Sequence, residues 1–198
     1  ALLLGVALAA LLGVWLDGAQ AALSDRVIRL HVLANSDSEA DQALKLRVRD
    51  AVLAEAEELF VPGAGRAETE ELLRAHLYDL AAAGAEVVGE AGYSYPVTAS
   101  LVHDYWFPTK TYTDFALPAG AYTALRIEIG AGGGQNWWCV VFPPLCLGSV
   151  SETTQETALE AGLTENQVSL MTGEDEGYVV KFKAVELLEQ FKGWLEGR

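Results

Sequence analysis

Ile28-Arg29-Leu30-His31-Val32-Leu33, followed directly by Ala34-Asn35-Ser36-Asp37-Ser38-Glu39, is the stretch whose reading decides the fold. Ile28, Leu30 and Val32 alternate with Arg29 and His31, the period of a half-buried strand with its polar residues outward. The Asn, Ser and Asp side chains that follow offer oxygens to cap a helix, and Ser36 with Glu39 has capping-box spacing. The helix so started carries Leu44, Val48, Ala51, Val52 and Leu59 on its apolar face, with Asp41, Lys45 and Arg49 one turn apart on its outer face. Val61-Pro62-Gly63 ends it.

Reading on, a second helix over about Glu68 to Val88 turns Leu72, Leu73, Leu80 and Val87 inward, with His76 on its apolar face. Then the period falls to two. Val97, Ala99, Leu101 and His103 alternate with Thr98, Ser100 and Val102, and Leu125, Ile127 and Ile129 alternate with Arg126 and Glu128. Trp106 to Tyr112 and Leu117-Pro118-Ala119-Gly120 read as loops, because proline removes ladder donors and glycine permits tight turns. Gly130 to Gly134 joins the strand ending at Ile129 to a strand Trp137 to Phe142, which suggests a hairpin. The expected class is α+β: an antiparallel sheet of about four strands packed against two to four helices.

The flanks differ in character. Residues 1–16 are almost wholly apolar, and Ala19-Gln20-Ala21 has the small-x-small form of a signal-peptidase site, so residues 1–22 are expected to be a signal peptide or membrane anchor. The α+β core is expected over 26–150. Residues 151–198 read as an acidic connector, with a helix at Thr157 to Gly162, and then an amphipathic helix bearing Phe182, Val185, Leu188, Phe191 and Trp194.

With 51% hydrophobic residues the chain can build a core, and its formal net charge of -15 leaves no continuous basic face. Nucleic acid is excluded as a partner on that ground. Anionic lipid would repel so acidic a body, so membrane contact is expected only through the N-terminal segment. Export would place Cys139 and Cys146 in an oxidising space. A turn at Phe142-Pro143 would bring them together, and a disulfide and a pair of buried thiols are both open readings.

No reaction announces itself. The run Gly130 to Gly134 precedes a strand, whereas phosphate cradles open a helix. Ser94 lacks the nucleophile-elbow context. His31, His76 and His103 have no metal-ligand spacing, and no cofactor is expected. Two alternatives stay in view: an exported hydrolase using His31 and His103 with a carboxylate, or a small-molecule binding module built on Trp137 and Trp138. The aromatic groups Trp106-Phe107 beside Lys110, and Trp137-Trp138 beside Asn136, instead suggest recognition surfaces. For Arg49 and Asp50, a buried ion-pair network is the competing structural reading.

The same stretches carry a resemblance. Ile28 to Ser38, Asp41 to Val52, Tyr95-Pro96-Val97, Phe107-Pro108-Thr109-Lys110, Pro118 to Ile127 and Gly134 to Cys146 look like the stage II sporulation protein R family of endospore-forming bacteria. The resemblance spans about Val27 to Leu147, and after Ser149 only Lys181 to Leu187 shares it. It implies a signalling protein made in the forespore and exported to the space between the two sporulation membranes. There it would activate a membrane-bound aspartic protease of the mother cell, which removes the pro-sequence of the mother-cell sigma factor. The chain would be the agonist and not the protease, and no Asp-Thr-Gly or Asp-Ser-Gly occurs in it. The expected contact residues are Asn35, Ser36, Asp37, Asp41, Lys45, Arg49, Phe107, Lys110, Asn136, Trp137 and Trp138.

Overall fold

The computed structural model describes residues 21–61, 63–113, 115–146 and 151–172. The expected leader (1–22), apart from its last two residues, and the expected C-terminal amphipathic helix lie outside the described residues. Among those described, no helix is long and apolar enough to cross a membrane.

The first strand, β1 (Ile28–Leu33), is central rather than half-buried, and all six of its residues are buried. Helices α1 (Glu39–Glu58), α2 (Arg66–Ala75) and α3 (Leu77–Glu90) follow it. Next come β2 (Val97–Phe107), the short pair β3 (Lys110–Thr111) and β4 (Ala116–Leu117), β5 (Gly120–Ile129) and β6 (Asn136–Phe142). Helices α4 (Ser151–Glu160) and α5 (Glu165–Thr172) close the described chain. The class is α+β, as the alternation and helical periods predict.

The sheet order is β2-β5-β1-β6, and this corrects two expectations. The sheet is mixed, because β1 runs parallel to β5 while β6 and β2 pair antiparallel with their neighbours. Alternation reports which face a side chain takes, not strand direction; the crossover through α1 to α3 supplies the parallel return. Nor do β5 and β6 form a hairpin. The glycine run carries the chain across the end of β1, which lies between them.

Arg29 and His31 are both 0% exposed, contrary to the outward placement expected of a half-buried strand. A central strand covered on both faces has no outward side. On the first face, Ile28, Leu30, Val32, Leu125, Ile127 and Ile129 pack on Val48, Val52, Leu73, Leu80 and Val88 of the helices. Gly84 lets α3 approach, since a Cβ there would lie 3.0 Å from Val97 Cγ1 and 3.1 Å from Val48 Cγ1. On the second face, Phe107, Tyr122, Ala124 and Val140 pack with Leu23 and with Ala158, Leu163, Val168 and Met171 of the α4–α5 region.

Three boundaries shift. The single helix expected from Glu68 to Val88 breaks at His76, which ends α2 and begins α3. Leu73 and Leu80 stand seven residues apart, so the apolar period reads straight across the break. His76 is half-exposed and sits 3.0 Å from Asp79 Oδ2, not on the apolar face. The N-cap of α1 is Ser38, which accepts from the Asp41 amide, rather than Ser36. Part of the expected Trp106 to Tyr112 loop is strand: β2 runs on to Phe107, and β3 pairs with β4.

The run to Phe107 depends on a bulge between Val102 and Tyr105, where Asp104 takes a φ of 53°. The extra residue reverses the alternation. Leu101 therefore packs on the first face, while Tyr105 and Phe107 pack on the second. The chain reverses after β6, and Cys139 and Cys146 are joined as a disulfide with Cα atoms 5.7 Å apart.

Candidate functional site

At the end of β1 the chain forms a polar clasp. The Asp41 carboxylate accepts from Ser36 Oγ at 2.6 Å and from Asn35 Nδ2 at 2.9 Å, and these bonds, Ser36 first, hold its pKa below the ordinary carboxylate value. Across the gap, Asn35 Oδ1 accepts the Ala131 amide at 3.0 Å, and Asp37 Oδ1 accepts the Gln135 amide at 2.7 Å. Backbone bonds from Gly133 to Asn35 O and from Gly134 to Ala34 O run between them. Lys45 completes the closure, donating from Nζ to Gln42 Oε1 at 2.6 Å and Gln135 O at 2.9 Å. Burial lowers the lysine pKa, against the opposing pull of Asp37.

Of the eleven expected contact residues, five therefore bind the fold itself: Asn35, Ser36, Asp37, Asp41 and Lys45. Asp41 is buried and Lys45 only 4% exposed, so neither stands on an outer helix face. The expectation failed because i, i+4 spacing identifies a shared face without saying what covers it. Arg49 lies at the edge of that cover. Its guanidinium stacks 4.4 Å from the Trp137 ring centroid and pairs with Asp50 at 2.6 Å. Asp50 is exposed, so this is a surface pair and not a buried network.

Trp137 and Trp138 do not make one patch. Neighbours in a strand point to opposite faces; Trp137 packs on the first-face core and Trp138 on the second. Phe107 is 0% exposed, so the expectation of a loop contact is corrected, because the bulge turns it inward. Lys110 and Asn136 are exposed, with Lys110 on β3.

The second face holds what the sequence reading missed. The Arg29 guanidinium lies 4.2 Å from the Phe107 ring centroid and 5.1 Å from that of Tyr122, and donates to Tyr112 Oη at 3.0 Å. Tyr112 in turn donates to Trp138 O at 3.1 Å. Burial pushes the phenol of Tyr122 above the tyrosine range, against the pull of Arg29. Next along β1, His31 stands 2.7 Å (Nε2) from Asn136 Oδ1, amid Tyr105, Phe107 and Trp138. Arg29 and His31 were visible as polar residues in alternation; only the central place of the strand, which alternation does not report, marks them as buried.

Burial lowers the His31 pKa, with the Asn136 bond opposing it. The unfolded imidazole, with its ordinary value near 6.5, then takes up a proton that the folded one refuses. His31 should leave stability unaffected above that pH and reduce it as the pH falls below. Urea unfolding midpoints should show this loss between about pH 6.5 and 5, and the loss should shrink in His31→Gln; a slope unchanged by that substitution would remove His31 as its source.

His103 belongs elsewhere. It lies 3.2 Å (Nδ1) from Thr123 Oγ1 and 3.3 Å (Nε2) from Glu70 Oε1, on the first face beside Arg66 and Arg74. The sheet separates it from His31, which ends the version of a hydrolase that uses both. Among the described residues no group of three or more His, Cys, Asp or Glu side chains is placed to hold a metal ion. A hollow bounded by Phe60, Thr69, Phe142 and Ala161 and another between Gln155, Leu159 and Val168 involve neither Trp137 nor Trp138.

These features define an α+β protein on a mixed four-stranded sheet, with a clasped central strand and a basic, aromatic second face. The family model described as stage II sporulation protein R matches residues 24–152, which take in all six strands. The chain belongs to that family. It is similar to the stage II sporulation protein R of Bacillus subtilis (strain 168), with 40% identity over 124 residues, covering 63% of this chain and 55% of the relative. It thus spans about half the length of that curated relative. No solved structure matches the chain.

Proposed function

We propose that this chain is an exported signalling protein of sporulation that acts by binding and not by catalysis. Its partner in this reading is a membrane-bound aspartic protease of the mother cell, and the outcome is processing of the precursor of the mother-cell sigma factor. The protein is made in the forespore, residues 1–22 carry it into the space between the two membranes or hold it there, and the core acts on the far side. The observation that carries the reading is the family match over residues 24–152. The Cys139–Cys146 disulfide suits an oxidising space outside the cytoplasm.

A ligand activates a membrane protein only by binding its active state more tightly than its resting one. What the core offers for such contact is a fixed shape: the clasp holds the end of β1 rigid, and the exposed Trp106, Lys110 and Asn136 stand around the sheet. The test is coexpression of the full chain with the protease and the sigma-factor precursor in a non-sporulating host. Processing is expected with the chain and not without it, and is expected to fail when residues 1–22 are removed. Precursor that stays uncut in the presence of the folded, exported chain overturns the reading.

A further inference from the structure

Seven buried side-chain nitrogens among the described residues have no hydrogen-bond partner, and five belong to the second face: Arg29 Nε and Nη1, His31 Nδ1, Arg126 Nε and Trp138 Nε1. Buried polar groups are ordinarily paired, so a concentration on one surface calls for a cause. Arg29 is the extreme case. It is 0% exposed, and its bonded contacts are one phenol and two ring faces, with no carboxylate in any ion pair with it. Cation–π contact recovers part of the lost hydration, yet folding alone would favour an apolar side chain of the same size.

The charge of this face also departs from that of the chain. In a protein of net charge -15, the strands present Arg29 and Arg126 here against a single carboxylate, Glu128, which already accepts from Arg126 Nη1 at 3.0 Å. The cover over the face is held chiefly by apolar packing, through Phe115, Leu117, Leu163, Val168 and Met171, with few polar ties. Two-residue strands hold the β3–β4 flap, whose Tyr112 stacks on Phe115 and reaches Arg29 through one hydroxyl. Helices α4 and α5 lie almost wholly beyond the family match, which ends at residue 152; Gln167 Nε2 ties α5 back to Ala22 O at 3.0 Å.

We infer that the second face is the docking surface for a partner segment presenting a carboxylate among apolar side chains, and that the β3–β4 flap with α4–α5 is its resting cover. The incoming carboxylate pairs with the free edge of the Arg29 guanidinium, whose planar fork can take both oxygens. Apolar side chains of the segment replace Val168 and Met171 against Phe107 and Tyr122. This rests on the activation reading above, since it names the surface through which activation would pass.

The test uses the full chain in the coexpression assay. Arg29→Met should keep or raise the melting temperature while lowering precursor processing at least tenfold, and Arg29→Lys, a point charge without the fork, should fall between. Val168→Asp, which loosens the cover without touching Arg29, should reach half-maximal processing at a lower dose. Wild-type processing by a folded Arg29→Met overturns the inference alone, as does a Val168→Asp chain that is folded but less potent. A chain that dimerises by sedimentation, and whose dimer Arg29→Met dissolves, would assign the face to a second copy and overturn it too. An unaltered chain with no effect on processing removes both this inference and the reading it rests on.

Discussion

Gly134→Ala is expected to lower the unfolding free energy by about 3 kcal/mol, with a fall in melting temperature of about 10 °C. A Cβ at this position would overlap the Ser36 carbonyl oxygen, lie 2.6 Å from the carbonyl carbon and 3.0 Å from Ala34 Cβ. The first two neighbours are backbone, so no side-chain rotation relieves them. To admit the methyl group the loop must lift away from β1, which takes with it the Gly134 bond to Ala34 O and draws on those from Gly133 and Gln135. Gly133→Ala is the control, since a Cβ there would meet its nearest neighbour, Asn35 O, at 3.4 Å. Thermal unfolding of the two variants should differ by most of the full effect. Equal midpoints would show that the loop is not pinned at Gly134.

Lys45→Glu should be more damaging still, at about 4 kcal/mol. The ammonium is buried and donates to the Gln42 amide oxygen and the Gln135 carbonyl oxygen. Glutamate would set a carboxylate against both acceptors, close to Asp37, with no donor to meet it. Lys45→Met removes the charge and keeps the apolar stem, so it should cost distinctly less. Urea denaturation of the three proteins should rank them in that order. If Lys45→Glu is as stable as the parent, Lys45 does not close the clasp. The result bears on signalling assays: a loss of activity in Lys45→Glu would report unfolding and not a lost contact, whereas charge reversal at the partly exposed Arg49 remains a fair probe of the surface.

β1 and the start of α1 were plain, since alternation and a cluster of capping oxygens are local signals. The break at His76 was hidden because apolar spacing of seven residues continues through it. The exchange of hairpin for crossover was hidden for a deeper reason. A glycine-rich link between two strands has the same composition whether it turns tightly or passes over a third strand; the contacts of Ala131 to Gln135 with Ala34 to Asp37 distinguish them, and these are not written in the composition. The site fared likewise. Asn35, Asp37 and Lys45, expected as contacts for a partner, bind the fold itself, and the groups they bind lie some ninety or more residues away in the Gly130 to Gln135 loop. Arg29 was passed over because a charged residue in an alternating strand is ordinarily solvated.

The position of β1 between β5 and β6 also governs the order of events in making the protein. β1 acquires both of its neighbours in the sheet only when residues up to Phe142 have been made. Until then the edge of β1 that β6 covers, a row of backbone N–H and C=O groups, lacks its partner strand, although β5 and β2 can already pair once Ile129 has been made. Completion of the sheet is therefore expected late, when β6 docks on β1 and the glycine loop closes over the end of that strand.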